Sequence, residues 1–483
     1  MKELIGRPFL CRGAMGRQNS TVCGNMRWWG ALLAVLLLFI LPLNAQSDRP
    51  PILPLRFMEN YSFLKDTDQR QRRLDSIKYI PLGEKSSYLT LGADFRFLYE
   101  RIANPFGDIR PYYLLRLMAH ADLHLGKRWR IFVQPASGLE LGSVTPRPID
   151  VDELFLLNAF VDYQLHPTAE DKWTLRLGRF ELNYNPGRMV TLREGPNVRH
   201  FWEGAMLMYR WGEWQLDAFA TKYGANRPGV FDNTPFAGPE TFWGTYLTRT
   251  AGKQRTLQAY YLGQIDEAPT FYNATGKERR HTVGIRAAIT FPSGIDIDVE
   301  TAGQLGTIGP QLINAWGASA DIGYTFIAHK RYSARLGVKL DYWTGDRDST
   351  DQRLQSFKPP YPRQGYYRGA GAVFSSNFRD VHPELLLTFG RRTSLLLDVT
   401  WYWRNRTEDG IYIGGAGRPL LPPTGSSSTY LGRQIDVTAS YQINRNTYLR
   451  ALYSYYTSGG FVAENPSPQE VATVLDLTVG IRL

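Results

Sequence analysis

Long stretches in which apolar and polar residues alternate are the feature that most constrains the fold of this chain. In residues 281–291, Val283 and Ile285 lie on one side of an extended strand, and Thr282 and Arg286 lie on the other. The same pattern runs through residues 88–100, 333–343 and 471–483. These stretches are about 9 to 13 residues long, which exceeds the usual soluble strand and matches a strand that crosses a bilayer at a tilt.

The residue types on the two faces distinguish a membrane barrel from a soluble sandwich. Strands of a sandwich also alternate, but they are shorter and their charged face is a surface. Here the polar face mixes arginine and aspartate with glycine, which suits a water-filled lumen whose wall is held by ion pairs. Aromatic residues at strand ends form the girdles of outer-membrane barrels. Tryptophans occupy such positions at Trp129, Trp173, Trp211, Trp214, Trp401 and Trp403.

The connections between the predicted strands alternate between short and long. Short connections are predicted near residues 126–128, 166–172, 212–213, 251–255, 292–294, 328–332, 390–393 and 444–446. Long ones are predicted near residues 101–111, 141–149, 183–203, 224–240, 263–280, 306–312, 345–380, 405–429 and 458–469. The sequence therefore predicts an all-β fold: a transmembrane antiparallel β-barrel of about 18 strands in the bacterial outer membrane, with short periplasmic turns and long extracellular loops.

The N-terminal segment predicts export from the cytoplasm. Arg27 precedes an apolar core that ends at Ala45, which is the pattern of a secretory signal peptide over residues 1–45. A single transmembrane helix is the alternative, but the apolar run is short for one. Translation from Met26 would give a signal of ordinary length.

The remainder of the chain is predicted to have two parts. Residues 46–87 contain prolines and a charged run and are predicted to be a periplasmic lead-in, and residues 88–483 are predicted to be the barrel. Cys11 and Cys23 are the two cysteines, and both lie in the predicted signal peptide. The mature chain is therefore expected to contain neither a thiol nor a disulfide.

A closed barrel of this size leaves an aqueous channel, so side chains on the polar faces meet the solute. The chain has a formal net charge of +11, which favours acidic partners without choosing among them. Selectivity for anions needs basic groups that stay unpaired at a constriction. For any one of these groups, the alternative role is an ion pair that stiffens the wall. The lumen-facing candidates on the strands are Arg96, Arg116, Arg176, Arg286, Arg335 and Lys339.

The stretch RMVTLREGPNVRH, residues 188–200, concentrates positive charge in the third long connection. Guanidinium groups bind carboxylates through two parallel hydrogen bonds. We therefore predict that this loop folds into the lumen and narrows it for an anionic solute. An exposed loop that contacts water or lipopolysaccharide phosphate is the alternative. The candidate pore residues of this region are Arg179, Arg188, Arg193 and Arg199.

Residues 178–205, GRFELNYNPGRMVTLREGPNVRHFWEGA, resemble the signature region of the bacterial alginate export family of outer-membrane porins. Residues 59–83, 342–362, 398–420 and 430–462 are similar to further segments of that family, in the same order. The resemblance implies an 18-stranded monomeric barrel with an arginine-lined pore for an anionic polysaccharide. By position, Arg179, Arg188, Arg193 and Arg199 correspond to the basic pore region of the family. Members of the family differ in solute, so the solute does not follow from the fold.

We therefore expect a passive outer-membrane channel for anionic solutes, such as an acidic polysaccharide or oligosaccharide, and not an enzyme. A general anion-preferring or nutrient-uptake porin is one alternative. An enzyme carried on a barrel is another, for which Ser375, Ser376 and His382 are the candidates. An energised receptor would need a folded plug domain, and the roughly 42 residues before Tyr88 are too few for one.

The sequence also gives expectations for bound groups. We expect no cofactor and no metal, and a calcium site formed by Asp346, Asp348 and Asp351 is the weaker alternative. The expected partners are the lipid bilayer, lipopolysaccharide, an anionic saccharide and a periplasmic protein, and nucleic acid is not among them. The barrel is expected to be a monomer.

Overall fold

The structure is a computed structural model, and the predicted signal peptide, residues 1–45, lies outside the part that it describes. Within the described part, none of the helices combines the length and the apolar character that a membrane span requires. The described residues are 50–83, 86–103, 110–143, 146–166, 171–184, 186–252, 254–267, 269, 271–329, 331–363, 374–413, 418–465 and 473–483.

Eighteen antiparallel strands form one closed barrel, which confirms the predicted fold and strand number. Each strand pairs with the next along the chain, and the barrel closes where Asp94 on the first strand pairs with Arg482 on the last. The strands are β1 (Tyr88–Ala103), β2 (Arg110–Leu125), β3 (Trp129–Leu141), β4 (Asp152–Gln164), β5 (Lys172–Phe180), β6 (Trp202–Trp211), β7 (Trp214–Tyr223), β8 (Glu240–Ala251), β9 (Arg255–Asp266), β10 (Glu278–Thr290), β11 (Ile295–Ile308), β12 (Gln311–Ala328), β13 (Tyr332–Trp343), β14 (Phe378–Phe389), β15 (Thr393–Arg404), β16 (Tyr430–Gln442), β17 (Thr447–Ser458) and β18 (Thr473–Arg482).

The short and long connections lie where the sequence predicts them, with one exception. The connection predicted to be long near residues 306–312 contains only Gly309 and Pro310. Gly309 has a φ of 51°, a left-handed conformation that glycine adopts without steric cost. Because this tight turn is available, β11 and β12 continue as a paired ribbon where a loop was predicted.

The alternation of the strands separates a lipid-facing surface from the lumen, as predicted. On β10, Val283 and Ile285 have 59% and 57% of their surface exposed to the outside. Their neighbours Thr282 and Arg286 face the lumen and are only 2% and 7% exposed. Burial of these polar residues means that other parts of the chain fill much of the lumen.

Three segments lie inside the barrel. The basic loop, residues 181–201, connects β5 and β6, and the second inserted loop, residues 344–363, follows β13. Both come from the extracellular side. The lead-in, whose described residues are 50–83, enters from the periplasmic side and contains a helical turn, Arg56–Met58. Residues Ile80–Pro81 of the lead-in pair with the start of β1.

Small elements complete the described structure. The lead-in has further 3₁₀ turns at Ser62–Lys65 and Thr67–Gln69 and a short helix, α1 (Asp75–Lys78), and a second helix, α2 (Gly460–Glu464), follows β17. A short strand at Arg353–Leu354 pairs with β12. A separate three-stranded sheet joins Phe374–Ser376, Ile411–Ile413 and Arg418–Leu421 in the extracellular loops.

Candidate functional site

The basic loop is anchored to the barrel wall through Asn197. Its backbone amide donates to Asp150 Oδ1 (2.9 Å), and its side-chain amide donates to the Leu139 carbonyl (3.0 Å). A Cβ on Gly138 would lie 2.9 Å from the Asn197 Cβ, so the close approach of the loop requires a residue without a side chain at that position of β3. The loop therefore lies against the inside of the wall, as the sequence predicted.

Glu194 lies at the centre of three arginines, and it is the one acid in the charged stretch 188–200. Arg116 donates to its carboxylate at 2.7 Å, Arg199 forms a shorter ion pair with the other oxygen, and Arg96 donates to its backbone carbonyl at 2.7 Å. Burial alone would raise the pKa of the Glu194 carboxyl, but the three guanidinium groups hold this pKa below its usual range. Two further carboxylates, Asp94 and Glu181, lie near Arg116 (3.8 Å) and Arg199 (3.5 Å), so three acidic groups accompany the three guanidinium groups.

The other arginines of the basic loop reach different partners. Arg188 is 1% exposed and donates to Asp298 (2.9 Å) and Glu300 (3.3 Å) on β11. Arg193 has a positive φ of 55° and donates to the Val198 carbonyl (2.8 Å), which closes the loop on itself. The structure thus places these two side chains apart from the Glu194 cluster.

The remaining predicted basic residues form ion pairs within the wall. Arg179 at the end of β5 pairs with Glu203 on β6, and Lys339 on β13 pairs with Glu384 on β14 (2.7 Å). Among the described residues, eight of the ten basic residues named from the sequence contact a carboxylate. The other two, Arg96 and Arg193, contact carbonyl or amide oxygens. The other pairs are Arg176 with Asp162, Arg286 with Asp298, and Arg335 with Asp296, Asp321 and Glu384.

The second inserted loop joins the basic loop in the middle of the lumen. The Tyr361 amide donates to the Met189 carbonyl (2.7 Å), and the Thr191 amide donates to the Tyr361 carbonyl (2.9 Å). Lys358 is 3% exposed and donates to Glu278 at the start of β10 (2.9 Å). These contacts hold both loops to each other and to the wall on the extracellular side.

A cavity of about 1060 Å³ opens beside the lead-in on the periplasmic side. Among the described residues, eight lysine and arginine side chains and four acidic side chains line it, together with threonines, glutamines and aromatic rings. Several of the basic residues were not predicted as site residues. Their signal in the sequence is positive charge in the lead-in or in or beside the predicted periplasmic turns. They are Lys65, Lys127, Arg128, Lys172 and Arg210, and all five are exposed.

Two of these exposed basic residues have neutral hydrogen-bond partners. Arg128 donates to the Tyr163 hydroxyl (3.0 Å), and Arg210 donates to the Gln215 side chain (3.0 Å). Arg210 also lies directly across from Lys172 on β5. A neutral partner leaves the positive charge uncompensated, so this part of the mouth attracts anions.

The structure does not bring together the carboxylates of the three aspartates proposed as a calcium site. Asp346 accepts from Asn273 (3.1 Å), Asp348 accepts from Thr350 (2.9 Å), and Asp351 accepts from the Arg353 amide (2.8 Å). The carboxylates therefore bind separate groups of the loops.

A different group of potential metal ligands lies in the wall. Within the described part of the chain, only His382, Glu384 and Asp398 place three such atoms within 4.8 Å of one another. Both Glu384 oxygens already accept hydrogen bonds from Arg335 and Lys339, so this group forms part of a neutralised ion network. The candidate nucleophile Ser376 donates to the Phe357 carbonyl (2.5 Å), and the side chain of Ser375 lies outside the described residues.

Comparison with known families gives a match over most of the chain. The sequence profile of the family described as "Alginate export" matches residues 87–473. No curated protein matches the chain significantly by sequence.

Solved structures of outer-membrane channels share the fold. OccD3 (OpdP) of Pseudomonas aeruginosa is 10% identical, with a TM-score of 0.53 over 84% of this chain and 93% of that chain. OccAB1 of Acinetobacter baumannii is 10% identical, with a TM-score of 0.53 over 85% and 99%. OpdK of Pseudomonas aeruginosa, solved with vanillate, is 10% identical, with a TM-score of 0.51 over 81% and 98%. At this identity the likeness concerns the fold alone.

Proposed function

This chain belongs to the alginate export family of bacterial outer-membrane channels, and we propose that its solute is an anionic polysaccharide or oligosaccharide that crosses passively. The observation that carries this proposal is the cavity at the periplasmic mouth. Basic side chains outnumber acidic ones there by eight to four, and hydroxyl, amide and aromatic groups lie beside them. Carboxylates of an acidic sugar would bind the cations, and its hydroxyl groups would bind the neutral side chains.

The basic loop is the second part of the proposed path. The three guanidinium groups around Glu194 lie deeper in the lumen, where an anionic solute would compete for them with the carboxylates of Glu194, Asp94 and Glu181. We propose that Arg188, Arg193 and Arg199 contribute to anion selectivity through this loop. Replacing all three by glutamine should reduce the anion preference of the channel. Unchanged reversal potentials in a salt gradient would remove them from the selectivity mechanism.

Block of the ion current by uronate oligomers tests the proposed solute. Purified protein in a planar bilayer should carry an anion-preferring current that uronate oligomers block from the periplasmic side. Neutral oligosaccharides of equal length should block at least about tenfold less well, since each lost charge-assisted hydrogen bond contributes about 1.5–3 kcal/mol. Equal block by charged and neutral oligomers would contradict the proposal.

Variants of the mouth make the test specific. Lys172→Gln combined with Arg210→Gln removes a facing pair of exposed cations and should weaken block by uronates from the periplasmic side. Lys277→Gln is the matched control, because Lys277 is an exposed cation in an extracellular loop and is paired with Glu267. The control should leave periplasmic block unchanged.

Uptake of a small anionic solute is the second candidate. A cavity of about 1060 Å³ is close to the size of pockets that enclose small ligands. The structural neighbour OpdK was solved with vanillate. Block by a small carboxylic acid at lower concentrations than any uronate oligomer would favour this candidate. The predicted monomer, lipopolysaccharide contact and periplasmic partner stay predictions.

A further inference from the structure

The lead-in contributes an aromatic anchor to the periplasmic half of the lumen. The Phe57 ring packs edge-on against Phe132 on β3 (5.8 Å between ring centroids) and against Phe160 on β4 (5.3 Å). The Arg176 guanidinium lies 4.6 Å from the centre of the same ring. Phe57 is 7% exposed, whereas the next residue, Met58, is 56% exposed. One aromatic side chain thus provides much of the apolar contact of this turn with the wall.

The polar contacts of the lead-in with the wall mostly end on backbone carbonyls. Lys78 donates to the Leu91 carbonyl (2.8 Å), and the Lys78 carbonyl accepts from the Thr90 hydroxyl (2.8 Å). In the other direction, Arg130 donates to the Phe57 carbonyl (2.6 Å) and Arg199 donates to the Pro54 carbonyl (3.0 Å). Such bonds can be replaced by water without leaving a buried carboxylate unpaired, so each costs less to break than a buried ion pair.

Docking of the lead-in also limits access to two cations of the path. The Arg176 guanidinium lies over the Phe57 ring and Arg130 donates to the Phe57 carbonyl, so the lead-in covers one side of each guanidinium and the cavity reaches the other side. The cavity lies immediately beside Phe57 and Met58. The lead-in is therefore packed against the wall on one side and borders open space on the other.

We propose that the lead-in is a displaceable gate that closes the periplasmic mouth when docked and leaves the lumen when a polymer passes. The Phe57 ring holds the docked position, and departure of the lead-in widens the access of the anionic chain to Arg130 and Arg176. The gate depends on the chain being a channel and not on the identity of the solute. It can therefore be tested with potassium chloride alone, and its failure is distinguishable from that of the proposed solute.

The first test compares two neighbouring substitutions in planar bilayers. Phe57→Ala should raise the mean potassium chloride current at least about tenfold, because loss of a buried aromatic ring shifts a docking equilibrium by more than that factor. Met58→Ala, which truncates the exposed neighbour, should leave the current unchanged. Tyr79→Ala, which removes a ring stacked on Tyr88 of β1 (4.5 Å between ring centroids), is a second loosening variant and should also raise the current.

The second test measures whether the lead-in moves. A cysteine replacing Thr90, which lies under Lys78 and is 3% exposed, should react slowly with a charged thiol reagent in the otherwise unchanged protein. Adding Phe57→Ala should accelerate this reaction. Thr221→Cys is the matched control, because Thr221 is buried in the lumen wall and bonds to Phe242, so its rate should not change with Phe57→Ala.

The two readouts together decide the proposal. Folding of each variant is checked by its heat-modifiable gel migration. A faster reaction at position 90 together with a larger current supports the gate. A folded Phe57→Ala variant with unchanged current overturns it, whether or not the thiol reaction becomes faster. Absence of current in the unchanged protein and in both loosening variants also overturns it.

Discussion

The two ends of the lumen are filled by segments that are held in different ways. On the extracellular side, the basic loop and the second inserted loop bond to each other through their backbones, and Arg188 and Lys358 reach carboxylates of the wall. On the periplasmic side, the lead-in is held by the Phe57 ring, by the Tyr79 ring stacked on Tyr88, by pairing of Ile80–Pro81 with β1 and by hydrogen bonds that end on carbonyls. Removal of one partner of a buried ion pair is strongly destabilising, whereas a carbonyl can exchange its donor for water.

This difference shows that a segment inside a barrel is not held there permanently just because it is buried. The type of contact it makes with the wall decides how easily it can leave. The extracellular segments are part of the fold, because displacing them would leave charges such as Glu278 without their partners. The lead-in can leave at a lower cost, and the cavity beside it provides space for movement. A channel of this kind therefore has a fixed outer constriction and a removable inner one.

The largest expected effect is a loss of stability on the extracellular side of the lumen. Lys358→Met should lower the free energy of unfolding by about 3–5 kcal/mol, because it removes the ammonium group from Glu278 in a buried setting. Urea unfolding in lipid vesicles measures the loss. Lys277→Met, which breaks the exposed pair with Glu267, is the control and should cost less than about 1 kcal/mol. Equal effects of the two substitutions would mean that the second inserted loop is not held by its buried charge.

An intermediate effect concerns the pH dependence of lead-in docking. Burial, with a smaller contribution from the nearby Arg56 guanidinium, lowers the pKa of the Lys78 ammonium to about 8. The undocked state therefore binds more protons between about pH 8 and the ordinary lysine pKa, so docking strengthens as the pH rises through this window. The gain is about 3 kcal/mol when complete. It is lost as the pH falls through about 8.

Hydrogen exchange of the peptide that contains residues 55–64 measures this dependence. After correction for the intrinsic exchange rate, protection should increase between pH 7 and pH 10. Lys78→Met should remove most of the increase. A protection that stays constant with pH in the unchanged protein would show that Lys78 does not titrate with docking.

The smallest expected effect concerns a single hydroxyl group that bonds to the lead-in. Thr90 donates to the Lys78 carbonyl (2.8 Å), and Thr90→Val should weaken lead-in docking by about 1 kcal/mol. Thr221→Val removes a wall hydrogen bond to Phe242 of the same length and should leave the lead-in unaffected. Faster hydrogen exchange in residues 55–64 for the first substitution alone is the expected result. Equal exchange in both variants would place Thr90 outside the docking contacts.

Much of the fold could be predicted because its signals are local. Alternation at residues such as Val283 and Arg286 determines which face meets lipid, and the turn residues between strands give their number. The inward course of the basic loop was also predictable from its charge. The partners of its arginines were not, because Arg188 and Asp298 lie 110 residues apart and nothing in either sequence segment specifies their pairing.

Two further features escaped prediction for physical reasons. The sequence predicts a long connection near residues 306–312, whereas β11 and β12 pair through Ile308 and meet in a tight turn at Gly309. The insertion of the lead-in does not follow from the sequence, because its anchors, such as the Leu91 carbonyl, are backbone groups. Every residue has a backbone carbonyl, so the sequence does not indicate which carbonyl accepts a hydrogen bond from the lead-in.

The position of the lead-in at the closing seam has a consequence for assembly of the barrel. Arg56 bonds to the residue that follows β18, and Ile80 and Pro81 pair with the start of β1. These two strands are the first and the last, and they meet only when the curled sheet becomes a cylinder. The lead-in can make both contacts only after that event, so it docks fully only in a barrel that has closed.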